Sequence, residues 1–106
     1  MNPQRFFCSQ LVALTDKSTD AEANAAANLE EIWHNGAVLE AESQVAKGAE
    51  IELRCGPAFF AGRVVEVESH EFGWRLEVEF FAETPWRREE FQPEHLVDLS
   101  KLWKND

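Results

Sequence analysis

The chain reads as a series of short apolar runs in which every second position is hydrophobic, broken by polar stretches containing glycine, the pattern of β-strands joined by tight turns. Residues 5–14 open it with Phe7, Leu11 and Ala13 on one strand face and Phe6, Cys8, Val12 and Leu14 on the other, which predicts a strand covered on both sides. Residues 15–22 are polar and rich in Asp, Ser and Thr, and predict an exposed loop. Residues 21–31 carry the strongest helix propensity in the chain, because alanine loses no side-chain entropy in a helix. Immediately afterwards, however, Asn35-Gly36 is a strong turn signal, and Ala37, Leu39 and Ala41 alternate behind it. A turn leading into a strand implies a strand before it, so residues 25–33 are expected to be extended.

Further along, Lys47-Gly48, Gly56-Pro57 and Glu71-Phe72-Gly73 punctuate three more alternating runs. Ile51, Leu53 and Cys55 alternate with Glu50, Glu52 and Arg54; Val65 and Val67 lie among Arg63, Glu66 and Glu68; Trp74, Leu76, Val78 and Phe80 oppose Arg75, Glu77 and Glu79. Beyond Phe81 the alternation stops. Pro85 and Pro93 mark a polar linker, and residues 93–103 place Leu96, Leu99 and Trp103 at helical spacing behind a proline suited to a first helical turn. The expectation is one mainly β domain over residues 1–106: a six-stranded antiparallel barrel over about residues 5–81, then a linker and short C-terminal α-helix over about 82–106.

Charge narrows the function classes. Twenty acidic residues against ten basic ones give a formal net charge of −10, which opposes DNA, RNA and anionic lipid surfaces. No run approaches the length needed to span a bilayer and no apolar leader begins the sequence, so the expected location is cytoplasmic. Cys8 and Cys55, far apart in apolar runs, are expected to be reduced and buried. His34, His70 and His95 have no partners at metal-ligand spacing, and no nucleophile elbow, phosphate loop or His-x-x-x-His occurs. Neither catalysis nor a cofactor is expected.

The order EIWHNGAVLE (31–40), GAEIELRC (48–55), FAGRVVEVE (60–68) and FGWRLEVEF (72–80) resembles the PilZ domain, the family of cyclic di-GMP receptors. The resemblance covers residues 5–81 and implies a six-stranded antiparallel barrel followed by a helix. In that family an Arg-x-x-x-Arg segment grips the ligand's phosphates and guanine faces with planar guanidinium forks, and Asp/Asn-x-Ser-x-x-Gly supplies hydrogen bonds and a close backbone approach. Carried over residue by residue, the resemblance gives Arg5, Glu31, Trp33 and Gly36 as the ligand-binding positions. Three of the family's side chains are replaced. Met1 and Ser9 stand four residues either side of Arg5, so the arginine pair is absent; Glu31 is one methylene longer than Asp; Trp33 replaces the small serine. Losing about two charge-assisted hydrogen bonds weakens binding about a hundredfold.

The resulting expectation is a PilZ-like signalling or adaptor domain that works through a protein partner or a homodimer, with weak or absent cyclic di-GMP binding; the alternative is a divergent cyclic di-GMP receptor. Trp86, Arg87 and Arg88, an aromatic followed by two cations, together with Trp103 on the expected helix, are the candidate partner-binding residues. The same residues could instead join the tail to its own barrel. Arg54, Arg63 and Arg75 are read as cross-strand partners of the neighbouring glutamates, with a shared anion site as the sharper alternative.

Overall fold

The computed structural model describes residues 4–18 and 23–98. Alternation becomes architecture directly. Strands β1 (Phe6–Asp16), β2 (Ala23–Trp33), β3 (Gly36–Ala41), β4 (Glu50–Cys55), β5 (Ala58–His70) and β6 (Gly73–Phe80) pair antiparallel in the order β2-β3-β6-β5-β4-β1, and β1 also pairs with β2, so the sheet closes into a six-stranded barrel. A seventh strand, β7 (Val97–Asp98), pairs with Phe6 and Phe7 of β1. Closure bends the sheet, and the register shows where: Glu30 opposes both Cys8 and Ser9 on β1 and is also skipped in the β2–β3 ladder, while β5 carries an extra residue at Val65.

Residues with one parity fill the interior. Phe6, Cys8, Val12 and Leu14 of β1 meet Leu29, Leu39, Ile51, Leu53, Val64, Leu76 and Val78, all buried. Phe60 stacks on Phe80 with ring centroids 4.9 Å apart. Residues 25–33 are extended within β2, so the turn after them, not alanine's helix propensity, decides the backbone here; tertiary pairing on both sides of the strand overrides a preference of a few tenths of a kcal/mol, on the order of ~0.5 per residue. The turn lies one residue earlier than expected. His34 and Asn35 form the loop, while Gly36 begins β3 paired with Trp33.

Two expectations are corrected. The apolar outer face of β1 is not covered: Phe7, Leu11 and Ala13 are exposed, because the barrel has only one interior and β1's other parity occupies it. The C-terminal helix is also absent from residues 93–98. His95 adopts a left-handed φ of 59°, which ends any helical turn there, and Val97–Asp98 runs as β7. The competing demand comes from β1, whose edge would otherwise leave polar backbone unpaired. Ser9 N–H donates to the Glu94 carbonyl at 3.0 Å, and β7 pairs with the first two residues of the strand. Leu96 packs partly buried against the core; Leu99 and Trp103 lie outside the described residues.

Candidate functional site

Residues from three parts of the sequence, Arg5, the 31–36 segment and Arg75, converge at one end of the β1–β2 hairpin. Phe7 faces Glu31 and Phe6 faces Ile32 in the β1–β2 ladder, which brings Arg5, just before β1, beside the end of β2. The Arg5 guanidinium carbon lies 3.9 Å from the centroid of the Trp33 indole, close enough for a cation–π contact, and its Nη1 is 3.5 Å from Glu31 Oε1. Glu31 Oε2 in turn accepts from Arg75 Nη2 at 3.1 Å. The indole is buried and lies over Gly36: a Cβ there would come within 2.6 Å of both Trp33 Cζ2 and the Val78 carbonyl oxygen. Gly36 therefore serves close approach, of the indole on one side and of β6 on the other, and its φ is not in the left-handed region.

Arg5, Glu31, Trp33 and Gly36 are thus one contiguous cluster whose polar groups satisfy each other. Glu31, with only 12% of its side chain exposed, is held between two arginines, and the one arginine carried over from the family motif is spread on an indole. Arg75 is the member that motif reasoning did not supply. Its Nη1 also lies 3.5 Å from Glu30 Oε1, a bulged residue. The β6 alternation marked Arg75 as outward, but only the β3–β6 pairing, which sets Glu40 opposite Arg75, brings it within reach of β2.

A second acidic group adjoins this cluster. Partial burial, then a hydrogen bond shared with Glu40 and that neighbour's charge, push the Glu30 carboxyl above the usual carboxylate range, with Arg75 pulling the other way. Glu40 Oε2 lies 3.3 Å from His70 Nε2. Among the described residues, no group of His, Cys, Asp or Glu is arranged to hold a metal.

Trp86, Arg87 and Arg88 divide. Trp86 is 4% exposed and closes the barrel end: its ring meets Phe6 edge-on at 5.2 Å, its Nε1 donates to the Phe91 carbonyl at 2.8 Å, and its backbone N–H donates to the His34 carbonyl. His34 Nδ1 lies 3.1 Å from the Trp86 carbonyl oxygen, so the β2–β3 turn and the linker clasp each other. Trp86 therefore joins linker to barrel and is almost wholly covered by the chain itself. Arg87 and Arg88 are exposed, with the Arg88 guanidinium 5.3 Å from the Phe6 ring; Trp103 lies outside the described residues.

The three strand arginines do not converge. Arg63 pairs with Glu50 at 3.3 Å and donates to the Gly48 carbonyl, Arg54 lies over Phe59, and Arg75 serves the cluster above. Cys8 and Cys55 are buried free thiols; burial pushes Cys8 up to about 12 and Cys55 up to about 11. No family model, no curated protein and no solved structure matches this chain.

Proposed function

We propose that this protein is a non-catalytic, PilZ-like adaptor barrel that acts through protein contacts and binds cyclic di-GMP weakly or not at all. The observation that carries the reading is the engagement of Arg5: its guanidinium is stacked on Trp33 and faces Glu31, whose other oxygen is taken by Arg75. A dinucleotide phosphate would have to displace a carboxylate already in place, on a chain of net charge −10. The barrel order and the resemblance of residues 31–40 and 72–80 support the family reading, and the self-paired cluster supports protein contact over nucleotide binding.

Isothermal titration of cyclic di-GMP into the full chain, at low and moderate salt, tests this. The expected result is no saturable heat. Saturable micromolar binding that is lost in Arg5→Ala would instead make the protein a divergent receptor using the same cluster.

A further inference from the structure

β2 is longer than the strand beside it. Its ladder with β3 begins at the Ala27–Ala41 pair, yet its ladder with β1 continues to Ala23, so residues 23–26 are paired on one side alone among the described residues. The chain leaving β3 at Glu42 and Ser43 diverges from this edge, and a groove of about 540 Å³ opens where β3 would have continued. Leu11, 70% exposed, and Phe72, 78% exposed, both line it, with Ala26 exposed between β1 and the gap. Single exposed hydrophobics are ordinary, but two large ones on a groove that runs beside unpaired backbone form a surface suited to an added strand.

The rim sets the charge of the occupant. Glu30, Glu40 and Glu42 line the same groove, and Arg75, the cation beside Glu30, is already shared between Glu30 and Glu31. Partial burial and, after it, the hydrogen bond and charge of Glu40 raise the proton affinity of Glu30, so the two carboxyl groups adjoin each other on this rim. A second copy of this chain carries its own net charge of −10 and would on balance be repelled, whereas lysine or arginine side chains would pair with the rim.

We propose that the groove bounded by Leu11, Ala26 and Phe72 receives an extended segment of a partner protein, in which apolar residues alternate with Lys or Arg, as a strand added along residues 23–26. This rests on the protein-contact reading above and gives the partner its chemistry. Comparison with another one-sided edge among the described residues supports the choice. The outer half of β5, residues 65–70, is also paired on one side only among the described residues, but it carries no exposed large hydrophobic side chain to anchor an added strand. The β2 edge, Ala-Asn-Ala-Ala, carries no charge.

The test is an amide NMR titration of the full chain with a short end-capped peptide of alternating valine and lysine, beside a valine–glutamate peptide and a valine–lysine peptide N-methylated at alternate residues. The expected result is saturable shifts centred on residues 23–26, Leu11 and Phe72, weakened by salt, with affinity reduced about tenfold in Leu11→Ser or Phe72→Ser and by N-methylation. Both residues are exposed, so the unperturbed remainder of each variant's spectrum checks the fold. Equal binding of the glutamate peptide, shifts centred elsewhere, absence of binding, or indifference to both substitutions overturns the proposal. Sedimentation showing a dimer that Phe72→Ser dissolves also overturns it, by giving the face to a second copy. Cyclic di-GMP is read at Arg5 and Trp33, so a saturating dinucleotide response defeats the proposed function without touching the peptide result, and a silent peptide titration defeats the groove alone.

Discussion

The two ends of the β1–β2 hairpin hold comparable side chains and treat them in opposite ways. Near Arg5 a tryptophan, a carboxylate and two arginines occupy one another, whereas near Ala26 a leucine and a phenylalanine are left bare beside three glutamates. Hydrophobic size does not separate them. Trp33 is a larger hydrophobe than Leu11, yet it is buried because Gly36 yields the space beneath its ring and Arg5 covers the upper face. At the other end β3 stops at Ala41 and Gly73 brings the β5–β6 turn against the Ala41 carbonyl, so nothing among the described residues continues across residues 23–26. Availability for binding is set by whether neighbours have already satisfied a group, and the cluster around Arg5 and Glu31 is the more fully satisfied of the two.

The largest effect breaks both ends at once, through the barrel they share. Cys8 on the inward face of β1 and Cys55 on β4 have thiol pKa values raised to about 12 and about 11 chiefly by burial, against 9.0 for an open thiol. Folded thiols keep their protons where unfolded ones lose them, so this contribution is complete below about pH 9 and is lost as pH rises toward the folded values, with a slope of up to about 1.4 kcal/mol per pH unit for each thiol. Urea unfolding across that window should show stability falling steeply. The chain has no tyrosine to add an alkaline titration of its own, and a Cys8→Ala, Cys55→Ala double variant should flatten the slope; an unchanged slope would refute the assignment.

Next come substitutions that open the satisfied end alone. Trp33→Ala should cost about 3–5 kcal/mol, the range for a truncated core aromatic. Gly36→Ala should cost about 1–3 kcal/mol by overpacking against the indole and the Val78 carbonyl. The double variant should cost less than the sum, since removing the indole relieves one of the two crowded contacts while the backbone contact stays. Strict additivity in urea titrations would mean that the ring and the glycine are not coupled. Glu31→Gln should cost about 1–2 kcal/mol, moderated because both arginines are partly solvated. That variant sharpens the comparison: with the carboxylate charge gone, Arg5 and Arg75 should show any latent anion affinity, and titration with cyclic di-GMP would detect it.

Particular residues show what was legible in advance. The inward parity of β4 and β6 follows from alternation, because a barrel wall has one apolar side and the period-two pattern reports it. The extended state of β2 was legible only through the turn that follows it. What could not be read was non-local. On β1 both parities are apolar, and the pattern within the strand does not tell which one the single interior takes. Residues 93–98 look helical by spacing, but the open edge at Phe6, Phe7 and Ser9 recruits them, and no window around Leu96 contains that edge. The positions Arg5, Glu31, Trp33 and Gly36 were named from a resemblance; that they neutralise each other depends on Arg75, brought in by the β3–β6 register.

The smallest expected effect belongs to the bare end. Leu11→Ser and Phe72→Ser remove exposed side chains that the core does not use, so each should change stability by no more than about 0.5 kcal/mol, against several for Trp33→Ala. A loss of more than about 1 kcal/mol in either variant would mean that the side chain is covered in solution by something the isolated chain does not show, whether a second copy or the tail beyond Asp98. Repeating the unfolding at several protein concentrations separates these, because cover by a second copy makes stability rise with concentration and cover by the chain's own tail does not. Concentration-independent, near-neutral substitutions would leave the contrast as drawn: one end of the hairpin closed by its own residues, the other retaining a surface whose apolar groups serve no fold.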